Sequence, residues 1–151
     1  MQLEPRWLED WEAWLRREAL LPGTPFLISP DLAYDVVLNA FFADVPMAAR
    51  SPRTQQGYAR DLAAFLNFLW LARDRRSWRD ASEADHLAYL PWRRRDAEGP
   101  GVAGATWNRE VAAVNQFYQW AAGRGHVRVN PISADFSQAA AGGVGLGGSP
   151  R

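Results

Sequence analysis

The chain opens on apolar positions set at helical spacing. Leu3, Trp7, Leu8, Trp11, Trp14 and Leu15 fall at i, i+4, i+5, i+8, i+11 and i+12, one stripe on a 3.6-residue helix. Glu4, Glu9, Asp10, Glu12 and Arg16 lie mostly off that stripe. The spacing predicts an acidic amphipathic helix over residues 2–18, ended by Leu21-Pro22-Gly23, with Thr24 to Ser29 extended. A second helix is expected to start at Ser29-Pro30-Asp31. Ser is a good N-cap, Pro suits the first turn and Asp favours the positive end of the helix dipole. It would carry Leu32, Val36, Leu38 and Phe41 or Phe42, and stop at Pro46.

The same start recurs at Ser51-Pro52. Tyr58, Leu62, Phe65, Leu66 and Leu69 follow at i, i+4, i+7, i+8 and i+11, with Arg53, Gln56, Arg60 and Asn67 largely opposite. The next helix opens with Ser82 and Asp85 in capping-box spacing and runs through Leu87 and Leu90 towards Arg93, Arg94 and Arg95. Pro91 is expected to kink or shorten it. Gly99 to Gly104 reads as a flexible hinge. A last helix spans about Thr106 to Ala122, with Trp107, Val111, Val114, Tyr118 and Ala121 inward. Asn108, Asn115 and Gln119 share its other face, beside Arg109 and Gln116, and Gly123 and Gly125 end it. Ser137 to Arg151 is Ala, Gly and Ser with few apolar anchors, which predicts a disordered tail or linker. With no internal repeat and no strand pairing in the pattern, the fold class is all-α. The expected divisions are residues 1–46, an acidic helical segment; 47–134, the core domain; and 135–151, the tail.

Composition narrows the function classes. Apolar residues make up 48% of the 151 positions and aromatics 13%, including eight Trp, ample for a core and against general disorder. The absence of Cys excludes disulfides and thiolate metal sites and fits the cytoplasm. The longest nearly apolar run, Ala63 to Ala72, is about half what a membrane span needs. The acidic start does not read as a signal peptide, so a soluble cytoplasmic protein is expected. Net charge is zero but divided: residues 1–46 hold three Arg against eight acids, and residues 47–130 hold thirteen Arg against eight. That split suggests a basic contact surface with an acidic appendage. All seventeen cations are Arg, whose planar fork grips phosphate or guanine in a bidentate way, although a GC-rich genome alone also favours Arg over Lys.

Catalytic and metal patterns are absent from the spacing. His86 and His126 have no partner ligands at i+3 or i+4, and the GVGLGG run lacks the preceding strand and following Lys of a phosphate loop. No cofactor is implied. Helix starts are the better signal, because they expose N–H groups and a positive dipole end to phosphate. Arg53, Thr54 and Gln55 cluster at one start beside Ser51, and Thr106, Asn108 and Arg109 at another, with Arg60 and Arg93 adding charge. The competing account of the same residues is capping by Thr106, ion pairing by Arg109 and a solvated helix end at Arg93.

Four strings in order carry a family resemblance. TxxxYxxDLxxFLxFL (Thr54 to Leu69), WRDAxxxDxxxYxxWR (Trp78 to Arg93), TWNREVAAVNQFYxWA (Thr106 to Ala121) and GxVxxNP (Gly125 to Pro131) resemble the core-binding, SAM-like domain of tyrosine recombinases and phage integrases. PFLISPD and YDVxLNxFF, within Pro25 to Phe42, are similar to the segment before that domain in site-specific integrases of high-GC actinobacteria. The resemblance implies a four-helix SAM-like bundle that clamps one face of a recombination half-site on double-stranded DNA. In the family a separate C-terminal domain cuts the strand with an Arg, a His-x-x-Arg pair and a Tyr nucleophile. Here His86 is followed by Leu-Ala-Tyr and His126 by Val-Arg-Val, and 20 low-complexity residues follow Pro131. The expectation is therefore a DNA-binding module of a recombinase without its catalytic domain, and not an enzyme by itself. The alternatives are a helical protein-interaction module that meets other recombinase subunits through the Trp-rich segment, or a non-cutting decoy.

Overall fold

The computed structural model describes residues 23–94 and 103–132, and the regular structure among them is helical apart from one isolated bridge. Five α-helices are described: α1 (Val36–Ala43), α2 (Val45–Ala48), α3 (Pro52–Ala72), α4 (Glu83–Arg94) and α5 (Gly104–Gly123), with a 3₁₀ turn at Trp78–Asp80. The chain divides into two compact units, residues 1–59 and 60–151, with the boundary inside α3. The expected helix over residues 2–18, Arg95, most of the Gly99 hinge and the C-terminal tail lie outside the described residues.

In the first unit the helix expected at Ser29 is instead a turn. The hydroxyl of Ser29 accepts from the Ala33 N–H at 3.0 Å, its N–H donates to the Ala33 carbonyl at 3.0 Å, and its hydroxyl also donates to Asp31. Leu32 sits at φ 64°, and Ile28 pairs with Tyr34 in an antiparallel bridge. Ser and Asp satisfy backbone groups equally well in a turn and at an N-cap, and here the turn won. The helix begins later, with Asp35 as N-cap accepting from the Leu38 N–H at 3.0 Å. Consequently Leu38, Phe41 and Phe42 are buried, whereas Leu32 and Val36 are exposed. Pro46 does not end the helical stretch but sits in the first turn of α2, where its missing N–H costs nothing. Buried Asn39 ties the extended segment to α1 by accepting from the Leu27 N–H at 2.7 Å and donating to the Leu27 carbonyl at 2.9 Å.

The Ser51 cap and the α3 stripe follow the sequence reading. Thr54 N–H donates to the Ser51 hydroxyl at 3.2 Å, and Leu62, Phe65 and Leu69 are buried while Arg53, Gln56, Arg60 and Asn67 are exposed. Tyr58 and Leu66 are half-buried, and Phe68 joins the core.

The second unit is built around Tyr89. Its ring centroid lies 5.1 Å from those of Phe65 and Phe68 and 5.0 Å from that of Trp107, so three helices meet on one aromatic side chain. That placement corrects the expected face of α4. Asp85, His86 and Tyr89 point inward, Leu90 is half-buried and Leu87 is exposed. The capping box is present, with the Ser82 N–H donating to Asp85 at 2.9 Å. Asp85 also receives Arg73 Nε at 2.6 Å and Arg76 Nη1 at 2.7 Å. Burial alone would raise its carboxyl pKa, but Arg76, the Ser82 N–H and Arg73 together bring it down to about 2. Pro91 leaves α4 helical through to Arg94. His86 stacks on Trp107 at 6.2 Å, and burial lowers its pKa to about 4. On α5 every expected inward residue is buried, together with Glu110, Ala113 and Phe117. Tyr118 donates to the Trp78 carbonyl at 2.8 Å, which fixes the 3₁₀ turn to α5. The α5 end is a Schellman turn: His126 N–H reaches the Ala121 carbonyl at 2.9 Å with Gly125 at φ 77°.

Candidate functional site

One open groove of about 670 Å³ in the second unit gathers chemistry from three helices. Helix α3 contributes Arg60, Ala63, Ala64, Asn67 and Leu71, a face at i, i+3, i+4, i+7 and i+11. Helix α4 contributes Trp92 and Arg93, and α5 contributes Thr106, Arg109 and Glu110. The two alanines keep the α3 wall low, so long side chains at either end stand above it.

Of the eight residues singled out from sequence, Arg60, Arg93, Thr106 and Arg109 come together here. Asn108 is exposed next to Arg109 on α5 without lining the groove. Arg53, Thr54 and Gln55 belong to the first unit. Arg53 is exposed, and Thr54 shares a 2.9 Å hydrogen bond with the Ser51 hydroxyl as part of the helix cap. Gln55 is buried: its amide donates to the carbonyls of Arg50 at 2.9 Å and Ala48 at 3.3 Å, so its donors are committed to the turn before α3. Thr106 is not the cap of its helix, since α5 opens at Gly104 with Ala103 as N-cap and no side-chain cap bond.

Two buried carboxylates govern the groove's arginines. Arg109 donates Nε to Asp61 at 3.0 Å and Nη2 to the same carboxylate at 3.0 Å. Arg93 donates Nε to Glu110 at 2.7 Å and Nη2 at 2.5 Å, and the Tyr89 hydroxyl donates to Glu110 at 3.1 Å. Both acids are almost fully enclosed, so each needs its cation to offset desolvation. The hydrogen bond to Glu110 drives the Arg93 guanidinium further above its ordinary value, and burial pushes the Tyr89 hydroxyl up. Arg60 is exposed and forms no ion pair among the described residues.

Sequence reasoning missed Asp61 and Glu110, although a signal existed. Asp61 stands three residues after Tyr58 and four before Phe65, on the apolar stripe of α3; Glu110 stands three after Trp107 and four before Val114. An acid at a position the stripe reserves for an apolar side chain is a buried charge in search of a partner.

No group of acids and histidines able to hold a metal occurs among the described residues. None of the described helices is long and apolar enough to cross a membrane. Residues 38–125, more than half of the chain, match the family model of the phage integrase N-terminal SAM-like domain. The chain belongs to that family. It is also 37% identical over 78 residues to the tyrosine recombinase XerC of Roseiflexus sp. (strain RS-1), a match covering 52% of this chain and 23% of that protein. No solved structure matches the chain. The helical fold and the family agree with the SAM-like bundle expected from the four strings.

Proposed function

We propose that the chain binds double-stranded DNA as the binding module of a site-specific tyrosine recombinase, using the groove lined by α3, α4 and α5. The observation that carries this reading is the convergence of Arg60, Arg93, Thr106 and Arg109 from three helices on one open groove. In this reading Arg60 and the Thr106 hydroxyl hold phosphates, Arg109 reaches into the duplex, and Arg93 keeps the groove wall in place through Glu110. Asn108 adds a contact beside the groove and Arg53 adds charge from the first unit, while Thr54 and Gln55 serve their turn instead of DNA. Tyr89 and Tyr118 are buried, hydrogen-bonded to Glu110 and the Trp78 carbonyl, and burial pushes both hydroxyls above the ordinary tyrosine value.

Fluorescence anisotropy with a labelled duplex of about two helical turns tests this. Affinity should fall steeply with salt, and Arg60→Ala should flatten the log–log slope by about 0.9, the share of a single phosphate. Arg109→Ala should weaken binding to a duplex that carries its preferred base pair by about 1–3 kcal/mol, whereas Arg128→Ala, exposed and outside the groove, should do no more than remove a distant charge. Equal effects at all three arginines would defeat the groove assignment.

A second reading, association with other recombinase subunits, draws on the first unit, where Phe26, Leu32 and Val36 are 59%, 84% and 71% exposed. Sedimentation of the wild type against Leu32→Asp separates it: a dimer abolished in the variant supports it, and a monomer in both removes it.

A further inference from the structure

The two guanidinium groups of the groove are gripped by the same edge, yet they differ fourfold in exposure. Arg93 gives Nε and Nη2 to Glu110 with its side chain 14% exposed; Arg109 gives Nε and Nη2 to Asp61 with its side chain 57% exposed. A guanidinium presents its N–H donors as a rigid fork with more than one bidentate edge. Once a carboxylate holds the Nε–Nη2 edge, the Nη1–Nη2 edge remains. On Arg109 that second edge has no partner among the described residues, and it belongs to a side chain that lines the groove.

We propose that Asp61 is a positioning residue that fixes Arg109 as a bidentate reader of a guanine in the major groove, and not as a general phosphate clamp. This rests on the reading of the groove as a DNA interface. Three observations carry it. The Asp61 carboxylate lies 3.0 Å from the guanidinium and cancels much of its charge. A neutralised arginine gains little from counterion release at phosphate, but it keeps the two parallel donors that match guanine O6 and N7. Asp61 is 3% exposed and stands where the α3 stripe calls for an apolar residue. An aliphatic side chain would pack there without desolvating a charge, so the acid is explained by the orientation it imposes on Arg109. Finally, Ala63 and Ala64 carry nothing beyond Cβ on the facing wall, which lets a base edge approach the outer N–H pair. Arg60, without an acid of its own, keeps its full charge for phosphate. The groove thus separates the two tasks of a DNA-binding surface, holding and reading.

The test is selection of duplexes from a random pool by the whole chain, followed by competition binding with wild type, Asp61→Asn, Arg109→Lys and the double variant. Wild type should enrich a site with one fixed G, and exchanging that G·C pair for A·T should cost about tenfold in affinity. Asp61→Asn and Arg109→Lys should each cut that discrimination to about twofold, leave affinity for random duplex nearly unchanged, and show no further decline when combined. Such non-additivity marks a residue that acts through another, which a merely structural acid would not show. Arg109→Lys replaces an exposed side chain and keeps the experiment decisive if Asp61→Asn unfolds. Discrimination that survives in either single variant, or a decline spread evenly over all duplexes, overturns the positioning role. A wild type that binds DNA with no fixed G overturns the guanine assignment alone. A wild type that binds no duplex overturns the DNA reading beneath it.

Discussion

Asp85 and His86 are neighbours in sequence, both enclosed, and each acts on the acid limb of the stability profile. His86 titrates near 4 in the folded chain because burial disfavours the imidazolium, against about 6.5 in the unfolded chain. Between those values the unfolded state binds a proton that the native state refuses, so stability falls as pH drops from about 6.5 to about 4 and then levels. Asp85 behaves as a depressed carboxylate. Its contribution is complete above the unfolded value of about 3.9 and is lost as pH falls towards about 2. Thermal unfolding followed by circular dichroism across pH 2–7 should show two successive declines. His86→Leu should flatten the first and leave the second. Asp85→Asn should remove the second and lower stability at pH 7 by about 2–3 kcal/mol, since Arg73, Arg76 and the Ser82 N–H lose a charged acceptor. Leu32 offers a gain in place of a loss. An exposed leucine held at φ 64° occupies a conformation that costs it free energy and that glycine adopts freely, so Leu32→Gly should raise stability by up to about 1 kcal/mol in urea unfolding.

At the level of elements, legibility followed the strength of periodicity. The inward faces of α3 and α5 were readable because Leu62, Phe65 and Leu69, and Trp107, Val111, Val114 and Tyr118, recur along helices of five turns or more. Local chemistry was ambiguous where a hydroxyl and an acid serve two purposes, and Ser29 with Asp31 closed a turn instead of opening a helix. On α4 the leucines misled. Tyr89, His86 and Asp85 take the inside because the core has an aromatic centre from Phe65, Phe68 and Trp107 and a cationic neighbour in Arg73 and Arg76, neither of which α4 encodes by itself. Of the residues singled out from sequence, Arg60, Arg93, Thr106 and Arg109 share one groove, and the exposure of Arg60 and Arg109 was legible because they lie off the apolar stripes. Gln55 was not, because its partners are carbonyls of the preceding turn that composition does not reveal. The acids that orient the arginines were hidden on the apolar faces, and only three-dimensional pairing exposes their purpose.

For the whole molecule, a formal charge of zero conceals a division of labour among seventeen arginines. Arg73, Arg76, Arg93 and Arg109 offset buried acids, so the cationic surface offered to a polyanion is smaller than the count suggests. Salt dependence should therefore correspond to a handful of phosphates, well below the thirteen arginines of residues 47–130. The chain belongs to the phage integrase N-terminal SAM-like family and covers 23% of the recombinase it matches.

Whether DNA occupies the groove is read residue by residue in a ¹⁵N-labelled amide spectrum of the chain titrated with a duplex. A duplex seated in the groove should shift Arg60, Ala63, Ala64 and Asn67 on α3 and Thr106, Asn108 and Arg109 on α5, with Gly125 to Arg128 unmoved. Shifts confined to the first unit, or none at saturating duplex in low salt, would contradict it.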